Sequence, residues 1–205
     1  MRLLDLFCGA GGAAMGYYQA GFTDIIGVDN KPQPNYPFTF IQADALNPPL
    51  DLEGFDLIHA SPPCQAYSVM TRHALNHPDY IDQVRIMLET TDRDYIIENV
   101  VNAPLLGGAR LCGSMFGLQV QRHRYFESTW LVMTPPCNHQ WKEGRPWTVT
   151  GHGGGGKFEH SWKHRNADHA ADLLGMARGG TVKEYTEAIP PAYTKFIGEQ
   201  FLAQQ

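Results

Sequence analysis

The sequence predicts an α/β protein built on a mostly parallel sheet with helices covering both faces. Two observations carry this expectation. Through residues 1–100, short apolar runs alternate with stretches of helical spacing. Runs that are apolar throughout, rather than apolar at every second residue, belong to strands buried on both faces. In addition, each run ends in polar or glycine-rich residues. In open α/β sheets that carboxyl edge is where ligands bind.

Taken in order, Arg2–Phe7 is the first strand and runs into Cys8-Gly9-Ala10-Gly11-Gly12. Ala13–Gln19 forms a helix that Gly21 ends. Ile25–Val28 is the second strand, closing at Asp29. Phe38–Ile41 is the third, closing near Asp44. Phe55–Ala60 is the fourth, closing in Ser61-Pro62-Pro63-Cys64. Ile81, Val84, Met87 and Leu88 recur at helical spacing within Tyr80–Leu88. Tyr95–Ile97 is a fifth strand, followed by Glu98-Asn99-Val100. Two further strands are predicted at Met115–Val120 and Tyr125–Leu131. Residues 132–180 are rich in proline and glycine and poor in aliphatics, and read as an irregular insertion. A last helix carries Tyr193, Phe196, Ile197 and Phe201 on one face behind Pro190-Pro191, proline being suited to a helix start. The expected division is a core of 1–131, an insertion of 132–180 and a C-terminal segment of 181–205 that packs back on the core.

Length and composition bound the function. With 205 residues the chain suits one domain with a small annex and buries a core without disulfides. Its 43% hydrophobic and 18% charged residues exclude disorder as the main state. No apolar run approaches the roughly 20 residues of a membrane helix. The N-terminus reaches Asp5 at once, so no signal peptide is expected. Cys8, Cys64, Cys112 and Cys137 are scattered, which reads as free thiols in a reducing cytoplasm. The net charge of −5 conceals a division: residues 1–129 carry −6, residues 130–165 carry +3, and residues 166–205 carry −2. The basic window also holds all four tryptophans. It is either a polyanion-binding surface or a solvated loop with a tryptophan cluster as its own core.

Several residues point to chemistry. A strand that enters a glycine-rich turn and then a helix lets backbone approach a ligand closely. Asp29, twenty residues after Gly9, stands where a carboxylate can accept from both ribose hydroxyls, so an adenosine-containing cofactor is expected. Asp44 either accepts from an adenine amino group or caps a helix. Cys64 follows two prolines on a stiffened loop, and stiff placement suits a nucleophile, which must be held at attack distance. Cys8, Cys112 and Cys137 read as inert thiols. Glu98 is either a tuned acid or half of a structural ion pair. Arg122 and Arg124 alternate along a strand and so share a face, suited to an anionic or carbonyl-rich ligand or to a solvated edge. Cys137-x-His139 with His152 and His160 fits no common zinc spacing, and no metal is expected.

In their order and approximate spacing, the Asp5–Gly12 octet, Pro63-Cys64-Gln65, Glu98-Asn99-Val100, the paired arginines and Ala188-Ile189-Pro190-Pro191 resemble the DNA (cytosine-5) methyltransferases. The resemblance covers roughly residues 3–131 and 185–201. It implies a Rossmann-like fold dependent on S-adenosylmethionine. Phe7 would pack on the adenine, Gly9 and Gly11 would approach the methionine part, Asp29 would hold the ribose, and Asp44 the adenine amino group. Asn30, Ala45 and Pro63 would line the same pocket. Cys64 would add to ring carbon 6 of a flipped-out cytosine, Glu98 would contact ring nitrogen 3 and the exocyclic amine, and Arg124 would bind the ring carbonyl. Arg122 would order the Cys64 loop or meet a phosphate. The implied partner is double-stranded DNA, contacted by Gln65, Asn99 and the insertion residues Lys142, Arg145, Lys157, Lys163 and Arg165, with base reading near Gly151–Gly156. A monomer is expected.

Two departures stand out. The family's recognition domain is usually large, whereas 132–180 offers about 50 residues; each good bidentate base contact supplies ~1–3 kcal/mol, so a short site of about two to four bases is expected. Thr186-Glu187 replaces the family's Gly-Asn, and Glu187 either touches the donor, caps the helix at Pro190-Pro191 or faces solvent. The alternative function is a catalytically silent DNA-binding or regulatory module of the same fold.

Overall fold

The computed structural model of the chain describes residues 1–67, 77–142, 144–149 and 162–205. Five parallel strands, β1 (Arg2–Leu6), β2 (Asp24–Asp29), β3 (Thr39–Gln42), β4 (Leu57–Ala60) and β5 (Asp94–Asn99), form most of one sheet. β6 (Ala109–Leu111) and β7 (Arg124–Ser128) complete it in the order β3-β2-β1-β4-β5-β7-β6, with β7 antiparallel to both neighbours. The order reverses direction at β1, which opens a crevice beyond the carboxyl ends of β1 and β4.

The two faces of the sheet follow the strand period of two. Leu3, Leu57 and Ile96 point to one side, where they meet Ala13, Ala14 and Tyr17 of α1 (Gly12–Ala20) and Tyr193, Ile197 and Phe201 of α5 (Pro191–Leu202). Leu4, Leu6, Ile58 and Ile97 point to the other, against Val84 and Leu88 of α2 (Ile81–Glu89). Both faces are therefore covered, as the unbroken apolar runs predict. α1 and α5 approach closely: a Cβ on Gly16 would lie 2.0 Å from Thr194 Oγ1. Thr194 is fully buried there and donates to the Ala13 carbonyl at 2.8 Å.

Two expectations need correction. Met115–Val120 is not a strand. Gly113–Phe116 makes a 3-10 turn bracketed by Gly113 and Gly117, and Leu118 N–H closes onto the Gly113 carbonyl at 3.0 Å. Its apolar residues reach the core from a turn. The strand beside β7 is instead β6, whose three residues are too few for a period to register. Arg122 lies before β7, so the arginines do not alternate along one strand.

The insertion is also more ordered than its composition suggests. It contains two two-residue strands, β8 (Trp147–Thr148) and β9 (Trp162–Lys163), and α3 (Ala167–Leu174). Asn166 caps α3 by accepting from His169 N–H at 2.8 Å. Ala170, Ala171, Leu173 and Leu174 pack with Val120, Val149 and Tyr185 in a small separate core. α4 (Val182–Glu187) follows, with Thr181 and Glu184 forming a capping box. The three described tryptophan side chains each meet a different neighbour. Trp130 packs on Phe201, Trp141 on His139, and Trp147 edge-on to His169. Among the described residues, no helix is long and apolar enough to cross a membrane.

Candidate active site

The carboxyl edge of the sheet gathers most of the residues expected to carry chemistry. β1 ends in a turn of three left-handed residues, Phe7 (φ 57°), Gly9 (φ 48°) and Gly11 (φ 80°). Gly9 N–H donates to Asp29 Oδ2 at 3.1 Å and Lys31 N–H to Asp29 Oδ1 at 2.9 Å. The carboxylate at the end of β2 thus holds the glycine turn and keeps further lone pairs for a hydroxyl. A Cβ on Gly11 would meet Pro37 Cδ at 2.5 Å, so that position tolerates only glycine. At Gly9 the same direction opens into free space, leaving a bare backbone cradle. Phe7 is half-buried and stacks loosely on Tyr80.

Asp44 is exposed beyond β3 and accepts from Leu46 N–H at 3.0 Å, a turn rather than a helix cap. Ala45 is buried beside it. Asn30 is exposed, and its carbonyl accepts from Gln42 at 3.2 Å. An open glycine cradle, a carboxylate at the β2 end and a second carboxylate at the β3 end suit a ligand with a carboxylate-ammonium end, vicinal hydroxyls and an amino-purine. The donor set fits S-adenosylmethionine. Glu187, by contrast, is exposed at the end of α4, and α5 has no side-chain cap, so Glu187 does not cap that helix.

The β4 loop is held from two sides. Ser61 N–H donates to the Leu6 carbonyl at 3.1 Å, and Asn99 Nδ2 donates to the Pro62 carbonyl at 2.9 Å. Asn99, expected at DNA, is 1% exposed and spends its amide fixing this loop. Pro63 and Cys64 are half-buried on the loop, and Gln65 is exposed. Burial pushes the Cys64 thiol up; Arg124 counteracts that, and Glu98 reinforces it.

Glu98 is buried at the end of β5, with Arg124 Nε 3.0 Å from its Oε1. That contact is an ion pair too far out of line for a hydrogen bond, so Oε1 retains acceptor capacity. Burial raises the Glu98 carboxyl, and Arg124 and a hydrogen bond from Ser61 offset part of the rise. A carboxyl raised in this way can hold a proton nearer neutrality than a free glutamate. Arg124 also donates to the His123 carbonyl at 2.9 Å. Cys64, Glu98 and Arg124 therefore share one electrostatic neighbourhood.

Arg122 turns elsewhere. It is buried and donates to the carbonyls of Val149, at 2.5 Å, and Thr186, at 2.8 Å. These bonds tie the insertion to α4, while the Arg122 charge also lowers the Cys64 thiol and the Glu98 carboxyl. Of the basic insertion residues, Lys142, Arg145, Lys163 and Arg165 are exposed, and Arg165 lies 5.6 Å over the Trp147 ring. Lys157 and Gly151–Gly156 lie outside the described residues.

Sequence reasoning missed the support behind Glu98. His59 is fully buried, joins Tyr17 Oη at 3.1 Å through Nδ1 and Ser61 Oγ at 2.9 Å through Nε2, and Ser61 reaches Glu98. The available signal was a histidine inside the apolar run of β4, two residues before Ser61 and thus on the same face.

A seven-stranded sheet of this order, with a glycine turn after β1 and acidic residues ending β2 and β3, defines a Rossmann-like methyltransferase fold. Two solved structures share it along their full length. One is an E. coli prophage-encoded protein assigned as a DNA modification methyltransferase, with a TM-score of 0.69 at 15% identity, covering 99% of each chain. The other is the methyltransferase EhMeth of Entamoeba histolytica, with a TM-score of 0.62 at 11% identity, covering 100% of this chain and 98% of that one.

Residues 1–104 match the C-5 cytosine-specific DNA methylase family, and the chain belongs to it. Type II methyltransferase M.HgiGI of Herpetosiphon aurantiacus is 33% identical over 123 residues, covering 51% of this chain and 94% of that protein. M.HgiDI of the same organism is 30% identical over 131 residues, covering 57% of this chain. M.AgeI of Thalassovita gelatinovora is 26% identical over 134 residues, covering 56% of this chain. The matches span only 42% of M.HgiDI and 31% of M.AgeI.

Proposed function

We propose that the protein transfers a methyl group from S-adenosylmethionine to carbon 5 of a cytosine in double-stranded DNA. The observation that carries this reading is Cys64 on a braced loop in the electrostatic field of a buried Glu98–Arg124 pair, at the sheet edge shared with the Gly9 cradle. When bound, the cofactor supplies an electrophilic sulfonium methyl.

The remaining chemistry belongs to the chain. Asp29 accepts from the ribose hydroxyls, Asp44 from the adenine amino group, and the Gly9–Gly11 backbone closes on the methionine end. Carbon 5 of cytosine is a poor nucleophile. The Cys64 sulfur, once deprotonated, adds its electron pair to ring carbon 6 and leaves carbon 5 with enamine character. Glu98, whose carboxyl burial raises, donates in its protonated form to ring nitrogen 3 as charge accumulates there and accepts from the exocyclic amine. Arg124 donates to the ring carbonyl. Loss of the carbon-5 proton and elimination of Cys64 restore the ring. A stacked base exposes neither face, so the cytosine must leave the duplex at a cost of a few kcal/mol. The exposed Lys142, Arg145, Lys163 and Arg165, together with Lys157 and Gln65, meet the DNA.

The test uses duplexes carrying 5-fluorocytosine, which block the last proton loss and trap the adduct. Wild type should form a complex resistant to denaturation, Cys64→Ser should form none while still binding S-adenosylmethionine, and Cys8→Ser should still form it. A trapped complex with Cys64→Ser, or its equal loss with Cys8→Ser, removes Cys64 from the mechanism.

A further inference from the structure

Away from the β4 loop, four soft or borderline donors converge from three separate passes of the backbone. Cys112 follows β6, His123 precedes β7, and Cys137 and His139 lie in the segment after β7. Their donor atoms all lie within 4.8 Å of one another. Cys137 Sγ is 2.9 Å from His139 Nε2 and 3.4 Å from His123 Nε2, and Cys112 Sγ is 3.6 Å from His139 Nε2. A tetrahedron with metal–sulfur bonds of about 2.3 Å and metal–nitrogen bonds of about 2.0 Å has sulfur–nitrogen edges of about 3.5 Å. Two of the three distances match that edge, and the third needs a shift of about half an ångström.

We propose that Cys112, His123, Cys137 and His139 bind one zinc ion in a closed tetrahedral site. Two thiolates and two imidazoles are a donor set selective for zinc among the abundant divalent metals. Four protein ligands leave no open position, so the ion is structural rather than catalytic. Ser114 Oγ lies 3.4 Å from the Cys112 sulfur and 3.6 Å from the Cys137 sulfur, placed to orient both thiolates. His139 is further fixed by stacking on Trp141 at 5.7 Å and 17°.

The site would add a second anchor to the segment after β7. The start of that segment is held by buried Val132 and by two hydrogen bonds between Met133 and Gln200, but Asn138, His139 and Gln140 further on are exposed and bury too little apolar surface to offset their own ordering. Zinc would anchor it at Cys137 and His139. It would also pin His123, the residue between Arg122 and Arg124, and so fix the backbone from which Arg124 reaches Glu98. The ligand spacing is Cys-x10-His-x13-Cys-x-His. No local pattern announces it, because two of the four ligands come from the edge of the sheet. Among the described residues, the partners of Cys137-x-His139 are thus Cys112 and His123; His152 and His160 lie outside the described residues.

The full chain, expressed with zinc in the medium and purified reduced without chelator, should carry about one zinc per chain by elemental analysis. Cobalt loaded in place of zinc should give the visible bands of tetrahedral coordination with thiolate charge transfer, a readout that needs no variant. Cys137→Ser combined with His139→Gln should lose metal at least roughly tenfold, whereas His139→Cys, which keeps four donors, should retain it. Cys8→Ser should retain it as well. Reduced wild type without stoichiometric zinc and without a tetrahedral cobalt spectrum would overturn the proposal. So would a Cys112–Cys137 disulfide persisting in the reduced protein, or metal loss from Cys8→Ser equal to that from the double variant.

Discussion

Replacing Arg124 with methionine tests the electrostatics of the site most directly. The Arg124 side chain is 17% exposed and its Nε stands 3.0 Å from Oε1 of Glu98, whose side chain is 6% exposed. At an effective dielectric of about 20, opposite charges at that distance attract by about 5 kcal/mol, a ceiling from which desolvation subtracts. The Arg124 charge lowers both the Glu98 carboxyl and the Cys64 thiol. Without it, both groups rise. The active form needs Glu98 protonated and Cys64 ionised, so kcat/KM climbs with pH until the lower of the two has titrated and falls above the higher. Both limbs should therefore move to higher pH in Arg124→Met. The plateau should also drop roughly 10- to 150-fold, for loss of one charge-assisted hydrogen bond of ~1.5–3 kcal/mol to the ring carbonyl. The stability cost at neutral pH should fall short of the ~3–5 kcal/mol typical of a broken buried pair, because Glu98 can take up a proton instead. Arg124→Lys should return the limbs toward wild type while recovering only part of the rate, since an ammonium cannot reproduce the planar fork. The assay is transfer of labelled methyl to duplex DNA across a pH series. Limbs that stay in place in Arg124→Met would refute the assigned coupling among Cys64, Glu98 and Arg124.

Four further outcomes follow from individual contacts. Asp29→Ala should weaken S-adenosylmethionine by roughly 10- to 150-fold in calorimetry, from ~1.5–3 kcal/mol of charged hydrogen bonding, and Asp29→Asn by less because it keeps an acceptor for Gly9 N–H; unchanged affinity would mean that the end of β2 does not meet the cofactor. Single Lys142, Arg145, Lys163 and Arg165→Ala changes should, in at least two cases, lower the salt slope of log DNA affinity by about one, and slopes unchanged in all four would make the insertion structural. Glu127→Ala should destabilise by about 3 kcal/mol in urea unfolding, the low end for a broken buried pair, because Arg85 loses its 2.8 Å partner yet keeps Asp82 at 2.6 Å; Arg85→Met with Glu127→Leu should recover most of that loss. Burial pulls His59 down to about 3. Its folded pKa lies below its unfolded one, so its contribution is complete above about pH 6.5 and is lost as pH falls; near pH 4.5 the loss is about 2–3 kcal/mol, and His59→Asn should lose correspondingly less on acidification.

The sequence by itself determined the parallel core and the sheet edge on which the candidate site residues lie. Apolar runs buried on both faces specify strands β1 to β5 locally, because a doubly covered strand needs no partner information to be read. The Asp5–Gly12 turn, Asp29, Cys64 and Glu98 were legible for a related reason: each sits at the carboxyl end of such a run, and that edge is common to the fold. Tertiary structure alone decided the rest. β6 is three residues long and exists only because β7 offers it hydrogen bonds, while Met115–Val120 has strand-like residues but is turned by flanking glycines. Arg122 and Arg124 look alike in sequence, yet one is spent on the carbonyls of Val149 and Thr186 and the other faces Glu98. Asn99 passes for a DNA-contacting residue until its amide is found on the Pro62 carbonyl. The Cys112, His123, Cys137 and His139 donors are separated by up to 27 positions and converge only after the sheet edge folds. Long-range convergence of this kind leaves no periodic trace, since what brings the residues together is the packing of other segments.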